Sequence, residues 1–322
     1  MNFRRMAAIV GRSSVIAGAL GAANLSTAQE APEERLIAPM GGLTMSSDSD
    51  GFDSLRTRAG VLYPYANPWR YSGVAVQSTR YAQGDFRNTV GGVVGFYRDQ
   101  RRDTLAGVDV EAGVVRVANK LRPVGDASWR FVPASGTAID LMASAELVET
   151  RKALERGIGT VFVGAGVERQ FSPRFTATGL AGWQTFNDGN ARNHLRARLI
   201  WLAIPDDGVT LQLRLRHFGS RKADVDGAYF NPEKYRQWLG VAAIRKRSAG
   251  WYYSAALGAG REQTEGLGSR ASYLAEARAE TTIMRDSKLV LHGGYYRSAA
   301  GVVDNPNYAY RQFGASLVVP LH

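Results

Sequence analysis

The chain has no cysteine among its 322 residues. Disulfide staples are therefore excluded, and a chain of this length can fold without them. Past residue 28 there is also no run approaching about 18 apolar residues, so no later segment can cross a bilayer as a helix. A membrane-embedded form would have to be a closed set of strands, because lipid offers open backbone groups no partner. Histidine is scarce as well, with only His194, His217, His292 and His322. His217-Phe218-Gly219-Ser220 lacks the His-x-Ser spacing that would put base and nucleophile on one strand face. His292 is followed by Gly293-Gly294, with no hydroxyl near. No metal-ligand spacing, phosphate loop or nucleophile elbow occurs. These absences speak against an enzyme and imply no cofactor and no metal.

What is present begins with an address. Arg4, Arg5 and Arg12 make a basic start, Ser13 to Leu25 is small and apolar, and Ser26-Thr27-Ala28 offers a small-x-small cleavage site. Residues 1–28 thus read as a secretory signal peptide. Its removal takes away three arginines and no acid, lowering the net charge from +11 to +8 and leaving 294 residues. The basic balance admits a polyanionic partner. Nucleic acid is excluded, since the arginines are spread through strand patterns instead of forming one basic run. Residues 29–59 carry Glu30, Glu33, Glu34 and Arg35, then Ser46-Ser47-Asp48-Ser49-Asp50-Gly51. They are expected to form a mobile periplasmic lead-in with room for one short strand, and not for a helical repeat of about 34 residues.

From Gly60 to His322 the pattern has a period of two. In Leu195–Phe218, Leu195, Ala197, Leu199, Trp201 and Ala203 alternate with Arg196, Arg198, Ile200, Leu202 and Ile204. After Pro205-Asp206-Asp207-Gly208, Val209, Leu211, Leu213 and Leu215 alternate with Thr210, Gln212, Arg214 and Arg216. Alternation on both sides of a turn signal is an antiparallel hairpin with one apolar face and one basic face. Similar segments recur along the chain, with Trp183, Trp251, Tyr253, Tyr295 and Phe313 towards strand ends. After Ile204 the connections alternate between short and long, with long ones expected at 219–233, 262–271 and 298–307. Apolar bands, aromatic girdles and alternating loop lengths define an all-β, transmembrane antiparallel β-barrel of the outer membrane. Fifteen segments are evident. A chain with both ends in the periplasm needs an even number, so a strand within 33–58 gives sixteen, or loss of Val61–Ala66 gives fourteen; sixteen is expected. One helical exception is expected at Thr150–Arg156.

Phe186-Asn187-Asp188-Gly189-Asn190 with Arg192 resembles the aromatic-x-Asp-Gly-Asn-x-Arg loop of outer-membrane exopolysaccharide export porins. Tyr229-Phe230-Asn231-Pro232 with Tyr235 is similar to the Tyr-Phe-x-Pro-x-x-Tyr that follows two strands later in that group, which includes the barrel domains of cellulose and poly-N-acetylglucosamine secretion porins. This chain departs from them in having no room for their tetratricopeptide scaffold and in ending Val319-Pro320-Leu321-His322. The resemblance implies a pore for exopolysaccharide export. Its partners would be outer-membrane lipid, the barrel-assembly machinery, the polysaccharide chain, a separate periplasmic scaffold and an inner-membrane synthase. A general or small-solute porin, or a structural barrel, is the alternative. Asp188-Gly189 shapes a turn in any protein. Tyr229, Phe230 and Tyr235 are either interfacial anchors or sugar-stacking platforms at the mouth. Arg196, Arg198, Arg214 and Arg216 are expected on one lumen wall, where they either attract a passing anionic polymer or pair with acids such as Glu168, Glu276 and Glu280.

Overall fold

A computed structural model describes residues 36–222, 224–266, 268–283, 287–298 and 308–321. The expected signal peptide lies outside them. The first eight strands are β1 Leu36–Asp48, β2 Asp53–Asn67, β3 Arg70–Gln83, β4 Phe86–Gln100, β5 Gly107–Val117, β6 Lys120–Ala134, β7 Thr137–Leu147 and β8 Gly159–Ser172. The rest are β9 Phe175–Phe186, β10 Ala191–Ile204, β11 Val209–Ser220, β12 Lys234–Ser248, β13 Trp251–Thr264, β14 Gly268–Ile283, β15 Ser287–Arg297 and β16 Ala309–Val318. Each strand pairs antiparallel with its neighbours in sequence, and β1 closes on β16 from Met40↔Val318 to Asp48↔Tyr310. Closure leaves no strand edge, as a bilayer requires.

The alternation read from the sequence sets the two faces. Val74 and Val76 on β3, Leu195 and Leu199 on β10, Leu211, Leu213 and Leu215 on β11 and Leu257 on β13 all stand exposed on the outer wall. Trp183, Tyr253, Tyr295 and Phe313 join them. Burying such a band in lipid is worth roughly 1.5–3 kcal/mol per large apolar side chain, which is why an outer wall of this kind is a membrane surface. Turn chemistry matches. The β5–β6 hairpin turns on Ala118 and Asn119, both at positive φ (48° and 58°), the backbone that matches strand twist in a two-residue connection.

The structure corrects three expectations. The lead-in expected at 29–59 contains β1 and the first part of β2, so the barrel begins at Leu36 and not at Gly60. The ten-residue loop expected at 262–271 shrinks to a short turn, because β13 runs to Thr264 and β14 begins at Gly268. A register shift between Leu202 and Ile204 turns Ile204, grouped with the arginine face, out to the apolar side.

The expected helix is present as α1, Arg151–Arg156, in the β7–β8 connection. Thr150 caps it by accepting from the Ala153 amide, and Gly157 ends it at φ 65°, a left-handed turn that suits glycine. Leu154 is fully buried in one apolar cluster with Val90, Val94, Val115, Val117 and Val124, which are inward-facing residues of β4, β5 and β6. The helix therefore lies inside the barrel, at the end opposite the described chain ends. We call this the distal end.

Candidate functional site

Register brings the four arginines together. Arg196 lies directly opposite Arg216, and Arg198 opposite Arg214, on the inner faces of β10 and β11. All four are half-buried, with part of each side chain open to the lumen. Like charges opposite one another on neighbouring strands repel, so the wall holds concentrated positive charge at a cost in stability. Arg214 is held by Glu276 at 3.5 Å and donates through Nε to Gln212 at 3.1 Å. Arg196 makes no side-chain ion pair or hydrogen bond among the described residues. It borders a small cleft with Ser144, Glu146, Phe162, Leu180 and Gln184.

The other acids named from the sequence have their own cations. Glu168 takes Arg130 at 3.0 Å, and Arg130 also holds Asp140 at 3.0 Å. Glu280 takes Arg278 at 2.6 Å and Lys288 at 2.9 Å. On the β2–β5 wall, Arg58 grips both oxygens of Glu111, and Arg98 pairs with Asp109 at 2.6 Å. These pairs stand across the ring from the arginine ladder, where Arg214 has its own acid in Glu276.

The two loop motifs also converge, at the distal end. The Tyr229 hydroxyl donates to Asp188 Oδ2 at 2.7 Å, and its ring stacks on Phe186 with centroids 4.7 Å apart. Asn190 Nδ2 donates to the Tyr229 hydroxyl (3.1 Å) and to Asn231 Oδ1 (2.8 Å). Arg192 donates to Ser220 Oγ at 2.8 Å, to Asn231 Oδ1 at 3.1 Å and to the Phe230 carbonyl. Its guanidinium also lies over Phe186, Phe218 and Tyr229, 4.8, 5.3 and 5.4 Å from their centroids. Gly189 supplies a positive φ of 85° for the turn, and Pro232 leads into β12. Tyr235 stacks on Phe218 and donates to Glu262 Oε2 at 2.7 Å; Phe230 meets both rings edge-on.

This packing overturns the sugar-platform and interfacial-anchor readings of the two tyrosines. Tyr229 is 3% exposed and Tyr235 is 0% exposed, so neither ring is open to lumen or lipid. The motifs are a knot that folds residues 224–233 inward onto the 187–190 turn. Thr150 Oγ1 then donates to the Ala228 carbonyl at 2.5 Å, and Lys152 Nζ to the Asp226 carbonyl at 3.0 Å. Arg156 pairs with the Asp226 carboxylate. The loop and α1 thereby form one lid over the β7–β12 side of the mouth. Two carboxyls outside the spanning strands feel it: Arg156 holds Asp226 below the ordinary aspartate range, and Arg151, 2.7 Å from Asp85, does the same there.

Sequence reasoning missed Glu149, which pairs with Arg56 at 2.6 Å and accepts from Tyr81 at 3.1 Å. It also missed buried Glu262, which binds Tyr235 and Ser298. Inward parity with Tyr235 across the hairpin was the available signal for Glu262. His194 lies between Phe162 and Phe218 and meets Gln184 at 3.1 Å, a packed position.

No protein-family model matches the chain, and no curated protein does. A solved bacterial polysaccharide outer membrane secretin superposes with a TM-score of 0.66, at 12% identity, over 89% of this chain and 99% of its own. The outer membrane protein OprD from Pseudomonas aeruginosa gives a TM-score of 0.43 at 11% identity, over 92% and 95% of the two chains. Acinetobacter baumannii OccAB2 gives 0.43 at 8% identity, over 90% and 98%. At these identities what is shared is the fold, and the chain is a closed sixteen-strand antiparallel barrel of the kind found in outer-membrane proteins.

Proposed function

We propose that the protein is an outer-membrane pore through which an anionic polysaccharide leaves the cell. The observation that carries this reading is the arginine ladder, with Arg196↔Arg216 and Arg198↔Arg214 half-buried on one lumen wall. A row of guanidinium groups offers equivalent, individually weak contacts to carboxylates or sulfates, so a chain slides from one to the next without being trapped. The motif resemblance to exopolysaccharide export porins and the fold likeness to a polysaccharide secretin support it. No bond is made or broken; transport is diffusive or driven by a synthase pushing from behind.

A second reading, a small-anion porin, draws on the lid. A loop folded into the mouth narrows the passage, which suits selection of solutes more than release of a polymer. Deletion of the gene separates the two. The expected result is loss of surface polysaccharide, restored by the wild-type gene and not by one carrying Arg196→Gln with Arg198→Gln. Normal secretion in the deletion strain would sink the export reading and leave the porin.

A further inference from the structure

The outer wall carries a feature that neither reading uses. We infer that the distal rim of the barrel binds the phosphate groups of an anionic glycolipid in the surrounding leaflet. Six arginines point outwards there: Arg236 on β12, Arg261 on β13, Arg297 on β15, Arg311 on β16, Arg80 on β3 and Arg116 on β5. Their chain neighbours Tyr235, Glu262, Tyr296, Tyr310, Tyr81 and Val115 are buried towards the lumen, so strand alternation sends the arginines to the lipid side. All six are exposed.

Register keeps four of them at one level. Arg236 pairs with Gln263, and Arg261 lies two residues below it; Arg297 pairs with Ala309, and Arg311 lies two residues below that. This staircase follows the tilt of strands in a barrel. Each of three arginines also faces an aromatic across the ladder: Arg261↔Trp238, Arg297↔Tyr273 and Arg311↔Tyr295. The Arg297 guanidinium lies 6.0 Å from the Tyr273 centroid. Outward Trp and Tyr mark the depth where acyl chains give way to headgroups, which places the arginines at phosphate depth.

Charge complementarity identifies the occupant. The cross-strand partners of these arginines include no carboxylate. The side chains of Arg80, Arg116, Arg236, Arg261 and Arg311 make no hydrogen bond or ion pair among the described residues. At the opposite end, Arg70 pairs with Asp99, Arg101 with Asp103 and Lys246 with Asp207, whereas the exposed Arg174 and Arg247 make no ion pair among the described residues. Guanidinium groups over an aromatic girdle match a phosphorylated lipid, which sets acyl chains on the girdle and phosphates on the arginines. The inference holds whether the lumen passes polymer or small ions.

The test uses the full-length barrel purified in a non-ionic detergent, loaded with bis-phosphorylated lipid A and passed over a sizing column. Wild type is expected to carry lipid A through. A barrel with Arg261→Gln, Arg297→Gln and Arg311→Gln should lose on the order of a hundredfold in apparent affinity. The control pair Arg174→Gln with Arg247→Gln, at the other end, should bind like wild type. Dephosphorylated lipid A should not be retained by wild type, and this arm stands even if the triple variant fails to insert. Equal retention of the dephosphorylated lipid, wild-type retention by a folded triple variant, or an equal loss in the control pair would each overturn the inference.

Discussion

Arg192 is fully enclosed and makes no side-chain ion pair among the described residues, yet it ties two loops together. Its planar fork reaches Ser220, Asn231 and the Phe230 carbonyl while its flat face covers three rings. Lysine can supply the charge but not the fork or the stacking. Arg192→Lys should therefore lower barrel stability by about 2–3 kcal/mol, because it strips partners from buried acceptors. The midpoint of urea unfolding, followed by the heat-modifiable gel shift, checks this. Tyr229→Phe is subtler: it keeps the stack on Phe186 and removes the hydroxyl bonds to Asp188 and Asn190. It should leave the melting temperature within a few degrees of wild type and raise open-channel noise in planar bilayers; a quiet trace would dissociate the knot from the mouth. The resemblance to export-porin motifs singled these residues out in the sequence. It could not show that the rings are buried, since a loop that folds in and one that folds out share the same residues.

Among the elements, α1 and β1 were legible to different degrees. The Thr150 cap and a charged six-residue stretch announce α1, though not where it packs. Its seat is the wall of Val90, Val94, Val115, Val117 and Val124, and Val90-Gly91-Gly92-Val93-Val94 is apolar on both faces, so no alternation marks which valines point in. Strand β1 was hidden by Pro39, Gly41, Gly42 and a polar tail, which dilute the period of two. Replacing residues 151–156 with a Gly-Ser linker should raise single-channel conductance, with the barrel still inserted; unchanged conductance would place the constriction elsewhere. The lid ties also respond to acid. Asp226 and Asp85 are held below the ordinary aspartate range by Arg156 and Arg151, so each adds stability above that range and loses it as pH falls through the depressed value. Channel noise should stay flat from neutral pH down to the ordinary aspartate range and rise only below it. A rise beginning near pH 6 would point to a different group.

For the molecule as a whole, an even strand count places both described ends at one rim, and we propose that this rim faces the periplasm. Cysteines at Lys120, where β6 begins at the distal end, and at Glu265, in a distal turn, should label from outside intact cells, whereas one at Asp207 should not. Labelling of Asp207→Cys alone would invert the barrel. The arginine ladder has a further consequence for the energy of the whole fold. Each of the two Arg–Arg pairs set opposite each other carries a repulsion of roughly 0.2–1 kcal/mol, against which Glu276 stands beside Arg214. Any polyanion that lies along them relieves that repulsion and binds only the folded form, so cargo and scaffold are thermodynamically linked. The barrel should melt at a higher temperature in dextran sulfate than in neutral dextran of the same size, and the difference should vanish in Arg196→Gln/Arg198→Gln. On the proposed reading, cargo lying in the lumen would brace the very wall it slides along.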